Sequence, residues 1–286
     1  DYLWAEYADG YRGLSLEESP THGRLVLFWK PHFWLVWDAL LGAGEHEMSA
    51  LWHWGPMLVQ EQPGGVVRSN RLGLANLELL PIDAPDGVDI LCGEQDPVQG
   101  WLTVSEPARQ VVPAPVAVYR KRGALPLGFG VLAAPFLSGT ASGWAVSPLP
   151  EGQASGARLH LATRVTGPAG ERLDVLFADT PTDLALGAVR ARAQGLVVYR
   201  APGAAGYVAA LHGAGLRIAD RVVADLPTTQ ALIESYSAPL TLERRWTNLV
   251  NAFSFAEYRI NRIPAYEVQR CGLPMPEEVE KYQGTR

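Results

Sequence analysis

Four of the six histidines, His22, His32, His46 and His53, fall within 32 residues of one another. Imidazole is a general acid or base near neutral pH and the commonest metal ligand. Asp38 stands among them at the end of the apolar run FWLVW, where a carboxylate must be exposed, paired or metal-bound. Familiar nucleophile and phosphate signatures are missing: the chain has no G-x-S-x-G elbow, P-loop, dinucleotide fingerprint or H-E-x-x-H.

The elements that position these residues read as β-strands. Segment 22–56 has short β-branched and aromatic runs, broken at Lys30-Pro31-His32 and at Gly42-Ala43-Gly44-Glu45. This predicts three antiparallel strands near 23–29, 33–40 and 47–54. With a three-residue loop at 30–32, residue 29 faces 33 and paired positions sum to 62. Arg24 then faces Asp38, and His22 is its diagonal neighbour on the same face, about 7–8 Å away at Cα. A slip of one residue would put His22 and Asp38 on opposite faces. If the loop at 42–45 closes a second hairpin, pairs there sum to 87, and His53 shares the parity of Asp38 whereas His46 does not. His53 would still lie four residues along from the partner of Asp38, so the register must differ or the sheet must curl. Two histidines and an aspartate from separate strands suit zinc with an open position for water. The plainer alternative is that Asp38 pairs with Arg24 and the histidines are surface or hydrogen-bonded residues.

Beyond these strands, the 29 Gly and 22 Pro argue for many turns and against a helical bundle. With 48% hydrophobic and 19% charged residues, the chain is too apolar to be disordered and long enough to bury a sizeable core. The net charge is −6 and no basic run stands out, which argues against nucleic-acid binding. Two cysteines, Cys92 and Cys271, build neither a disulfide framework nor a Cys-based zinc module. The uncharged stretch 123–150 carries Pro126, Pro135, Pro148 and Pro150 and reads as a buried strand and a loop, not as a membrane span. Trp29, Trp34, Trp37, Trp52 and Trp54 crowd the first strands, where core packing is the favoured role and stacking on sugars the alternative.

Residues 1–21 read as polar and turn-rich. Further strands are expected near 66–69, 74–80, 88–92, 115–121, 129–134, 157–165, 172–178, 195–200, 207–213 and 216–226, with a short helix as one reading of 181–195. Helical spacing is clear only near the end, at Trp246, Leu249, Val250 and Phe253. The expected architecture is all-β: a large antiparallel β-sandwich over 1–236, with a mostly helical C-terminal extension over 237–286.

Taken in order, the motifs resemble the C-terminal β-sandwich domain of heparinase II/III-like polysaccharide lyases. They are Asp9-Gly10-Tyr11, His22-Gly23-Arg24, Asp38, Gly42-Ala43-Gly44-Glu45-His46 and His53, followed by Gly100-Trp101, Pro113-Ala114-Pro115 and Leu125-Pro126. The likeness covers roughly 1–136 and continues to about 226 on β pattern alone. Gly23 departs from the family's commoner basic residue, and SEPARQ at 105–110 lacks its usual Tyr-Gly.

The resemblance implies a part of an enzyme that cleaves uronic-acid-containing polysaccharides by β-elimination. The main catalytic residues would lie on an N-terminal α/α toroid, for which this chain has too few helical signals. The chain is therefore expected to be weakly active or inactive alone, as the C-terminal part of a periplasmic or secreted lyase. By resemblance, His22, Asp38 and His53 match the ligands of a structural zinc. His46 matches a turn motif of structural role, and Tyr11 is a candidate to face the cleft, with packing as the favoured alternative. The implied partners are an acidic polysaccharide and the toroid domain. A stand-alone carbohydrate-binding sandwich is the alternative.

Overall fold

The computed structural model describes residues 1–10, 19–105, 110–137, 141–155, 159–203 and 206–237. Among these, the only helical element is the 3-10 turn Pro63–Gly65. The first half contains β1 (Tyr2–Tyr7), β2 (Thr21–Trp29), β3 (Phe33–Leu41), β4 (Glu45–His53), β5 (Val59–Gln62), β6 (Val66–Ser69), β7 (Ala75–Pro81) and β8 (Gly87–Leu91). Four short strands follow: β9 (Glu94–Gln95), β10 (Val98–Gln99), β11 (Trp101–Ser105) and β12 (Gln110–Pro113). Then come β13 (Val116–Ala124), β14 (Leu127–Leu137), β15 (Ala145–Pro148), β16 (Gln153–Ser155) and β17 (Leu159–Thr166). The long strands close the described chain: β18 (Arg172–Leu186), β19 (Val189–Arg200), β20 (Tyr207–Ile218) and β21 (Arg221–Tyr236).

Pairing among the described strands is antiparallel. A central sheet has the order β1-β2-β3-β14-β7-β6-β5, a smaller one β4-β13-β8, and a third β15-β17-β18-β19-β20-β21 with β16 also on β18. The alternation of side chains along β3 explains the stacking. Phe33, Leu35, Trp37 and Ala39 enter a core shared with Leu161, Val175, Phe177, Val197 and Ala209 of the third sheet. On the other face Leu40, with Phe129 and Val131 of β14, joins Met48, Ala50, Ala117 and Tyr119 of the small sheet. The central sheet is therefore sandwiched on both faces, giving three layers where the sequence suggested a single sandwich.

Bulges bend the third sheet back on itself, between Phe177 and Thr182 in the β18–β19 pairing and between Gly213 and Gly215 in the β20–β21 pairing. Leu184, Val189, Ala191 and Leu216 then pack against Leu176, Leu196, Val208 and Ile233 in a third core.

Three expectations are corrected here. The loop after β3 does not close a hairpin: β4 crosses to the small sheet and pairs with β13, His53 opposite Val116. Residues 181–195 are not a helix but the ends of β18 and β19 and the turn between them, because Leu184, Leu186, Val189, Ala191 and Ala193 alternate inward with period two. Within the turn-rich start, Tyr2–Tyr7 is a strand whose Tyr2 and Trp4 pack on the core. The uncharged stretch 123–150 contains β14, a largely buried strand, as expected. No helix of the described residues is long and apolar enough to cross a membrane. The helical extension expected over 237–286 lies, from 238 on, outside the described residues.

Candidate site on the first hairpin

The β2–β3 register is the one the spacing predicts: Trp29 faces Phe33 and Arg24 faces Asp38. Period two then puts His22, Arg24 and Asp38 on one face of the central sheet, the face that Leu40 and Phe129 turn toward the small sheet. Asp38 is only 4% exposed. Arg24 Nε donates to its Oδ1 at 2.5 Å and Nη2 to its Oδ2 at 2.9 Å, a two-pronged pairing. His22 Nε2 lies 2.8 Å from Oδ1.

Burial pushes the Asp38 carboxyl up, but the hydrogen bonds from His22 and Arg24 and the Arg24 charge outweigh it, and the net shift is downward. Asp38 is thus an anion at neutral pH. An anionic acceptor fixes Nε2 of His22 as a protonated nitrogen that donates to it. A carboxylate beneath an imidazole is the arrangement that orients a general base. The guanidinium of Arg24 spends its Nε–Nη2 fork on Asp38 itself, which holds the carboxylate in place beneath the imidazole.

The structure brings together His22, Asp38 and Arg24, but not His53. His53 is exposed, on the parity of Glu45, Glu47, Ser49 and Leu51, whereas Met48 and Ala50 of the same strand are buried between the sheets. The crossing of β4 to the small sheet reverses the parity expected from a hairpin: His46, half-buried, is on the inward parity. Among the described residues no group of three or more His, Cys, Asp and Glu side chains comes together to hold a metal ion. Of the possible zinc donors, His22 and Asp38 are adjacent and chemically suitable, and both oxygens of Asp38 are already bonded to Arg24. His32 lies apart from them, its ring 5.5 Å from that of Trp144, and burial pushes its pKa down. Tyr11 lies outside the described residues.

Gly23, the departure from the resembled motif, has a packing reason. The ring of Trp4 lies over it, so that a Cβ there would come within 2.2 Å of Trp4 Cη2. Trp4 in turn reaches Phe177 of the third sheet at 4.8 Å between centroids. A side chain at 23 would break this joint between layers.

Further along the same hairpin face, Phe28 and Trp34 are stacked, with ring centroids 4.5 Å apart and planes 12° from parallel. Trp34 is 39% exposed, and Lys30 Nζ lies 5.4 Å from the centre of the Phe28 ring. Tyr7 and Leu3 of β1, opposite His22 and Val26, are also exposed. The face therefore combines aromatic surface with cationic groups beside a His–Asp pair. The other Trp of the cluster divide as core packing predicts: Trp37 and Trp54 are buried.

Sequence reasoning missed a second ion-paired cluster. Asp174, fully buried, is met by Arg164 Nε at 2.7 Å, Arg172 Nη2 at 2.7 Å and Arg200 Nη1 at 3.6 Å. Arg172 and Arg200 are direct cross-strand partners, a pairing invisible until the β18–β19 register is known.

No known family profile matches the chain. A terminal beta-(1->2)-arabinofuranosyltransferase of Mycobacterium tuberculosis (strain ATCC 25618 / H37Rv) is 45% identical to it over 51 residues. That stretch is 18% of this chain and 8% of the other protein, so the chain spans a small fraction of that relative's length.

Proposed function

We propose that the chain is the C-terminal β-sandwich part of a polysaccharide lyase that cleaves uronic-acid-containing polysaccharides by β-elimination, working with an α/α toroid that carries the proton-abstracting residues. A periplasmic or secreted location goes with this reading. The observation that carries it is the His22–Asp38–Arg24 cluster, built on the strands whose motifs resemble that family. In this role the sandwich supplies one wall of the cleft. Arg24 and His22 contribute the N–H groups that Asp38 leaves unused toward an acidic sugar, and the Phe28–Trp34 stack offers an aromatic surface for its ring. The short match to an arabinofuranosyltransferase supports a carbohydrate connection in general, and no particular reaction.

A structural zinc, which the resemblance implies, belongs to the proposal with His22 and Asp38 as donors. An ion there competes with Arg24 for the carboxylate, and His53 would have to be recruited from an outward-facing position. No step of the proposed chemistry runs through it.

The test is cleavage in trans. The purified chain is mixed with a separately produced toroid of a related lyase and with alginate or heparan sulfate. The expected result is ultraviolet absorbance from unsaturated uronate only when both parts are present. Glycan binding with no unsaturated product, even with the toroid, would overturn the lyase reading and favour a stand-alone binding module. The exposed, stacked Trp34 is the observation that supports that second reading.

A further inference from the structure

The folded-back half of the third sheet carries a second arginine pair. Arg190 of β19 and Arg217 of β20 are direct cross-strand partners. Val189, Ala191 and Ala193 alternate into the third core, so Arg190 and Arg192 lie exposed on the opposite face. Arg190, Arg192 and Arg217 line an open groove of about 570 Å³, together with Gln153, Asp183 and Asp225.

Like charges directly opposite one another destabilise a sheet unless something neutralises them. The chain neutralises its other such pair, Arg172 and Arg200, with the buried Asp174. Nothing comparable serves Arg190 and Arg217. Arg190 Nη1 donates to the backbone carbonyls of Gly187 and Val189, at 2.5 and 3.0 Å. Arg217 is exposed, and its side chain has no hydrogen bond or ion pair among the described residues. The neighbouring Arg192 is already held by Asp225 Oδ1 at 3.2 Å and the Leu226 carbonyl at 3.1 Å. Three arginines against two aspartates leave the groove with a surplus positive charge, on a chain whose net charge is −6.

We propose that Arg190 and Arg217 form a carboxylate subsite for an acidic polysaccharide, on a different sheet from the His22–Asp38 cluster. One uronate carboxylate bridges the two guanidinium groups, and the sugar ring lies along the groove beside Gln153 and Arg192. Two guanidiniums converging on one carboxylate give short, charge-assisted hydrogen bonds and remove the repulsion between them. The proposal rests on the reading that the chain meets a uronic-acid polymer, and it adds a second point of attachment away from the proposed cleft. Two such points on one chain raise the affinity for a long polymer over that for a short one.

The experiment is calorimetric titration of the full 286-residue chain with an unsulfated hexauronate and with the same hexasaccharide after carboxyl reduction. Arg217→Ala is expected to weaken hexauronate binding about tenfold or more, and Arg217→Lys by less, because lysine keeps the charge and loses the fork. Arg221→Ala removes the same charge outside the groove and is expected to change binding less than about twofold. The carboxyl-reduced sugar is expected to bind wild type and Arg217→Ala equally weakly. Equal melting temperatures show that the exposed substitutions leave the fold intact. Wild-type binding that Arg217→Ala leaves unchanged, or that Arg221→Ala weakens as much, overturns the subsite and leaves the polysaccharide reading standing. No hexauronate binding by wild type overturns both.

Discussion

Arg24 sits directly across the first hairpin from Asp38 and holds both oxygens of a carboxylate that is 4% exposed. Removing one member leaves the other without its partner, and for a buried carboxylate that is costly. Arg24→Ala, which strands the buried carboxylate, is expected to cost about 3 kcal/mol of stability, and Asp38→Asn less, because the half-exposed guanidinium it strands can be solvated. The double substitution should cost less than the sum, with a coupling of about 1–2 kcal/mol. Urea unfolding of the four proteins checks this, and strict additivity would show that the pair contributes nothing jointly.

Acid should weaken the fold through Asp38 and Asp174. Burial works against both carboxylates, but hydrogen bonds outweigh it, from His22 and Arg24 in one case and from Arg172 and Arg164 in the other, and both pKa values fall below the usual aspartate value. A lowered folded-state pKa gives stability that is fully present above the unfolded-state pKa, about 4, and is lost as pH falls through the folded value. The gap in melting temperature between wild type and Asp174→Asn is therefore expected to be constant from about pH 8 to pH 5 and to shrink below about pH 4. A gap that widened on acidification would contradict this sign.

Gly23→Arg would restore the basic residue common at this place in the resembled motif. Its Cβ meets the Trp4 ring at 2.2 Å, and the ring cannot yield without leaving Phe177. The expected loss is about 1–3 kcal/mol, with a change in tryptophan fluorescence. Pairing Gly23→Arg with Trp4→Ala should remove the clash and make the second substitution less damaging than it is alone.

Trp34→Ala tests the aromatic surface. Trp34 is partly exposed, so its loss should cost the fold only about 1 kcal/mol, through the stack with Phe28. Binding of an acidic oligosaccharide should fall about tenfold if the ring is a sugar platform. Unchanged affinity would assign the pair to packing alone.

Zinc content separates two uses of Asp38. Because Arg24 competes for the carboxylate, elemental analysis after dialysis against trace zinc is expected to give more metal in Arg24→Ala than in wild type, and less in His22→Ala. Equal content in all three proteins would remove the ion from this hairpin.

How much of this was legible in the sequence depended on how local each feature is. The short loop at 30–32 and the period of two were enough to pair Arg24 with Asp38 and to put His22 on the same face, because hairpin register depends on neighbouring residues alone. Residues 181–195 admitted a short helix as one reading, whereas Leu184, Leu186, Val189 and Ala191 turn inward with a period of two on either side of Gly187. Propensity yielded there to burial on one face.

The sequence by itself thus determined the β class, most strand positions and the His22–Arg24–Asp38 face. Only the tertiary structure decided that β4 leaves its hairpin neighbour for β13, which turns His53 outward and His46 inward. It also decided that Gly23 lies beneath Trp4, and that Arg190 and Arg217 stand opposite each other beside a groove. A strand's choice of sheet is settled by where its apolar face finds the most burial against residues distant in sequence. Met48 and Ala50 find it beside Tyr119 and Phe129, which come some 70 to 80 positions later in the chain.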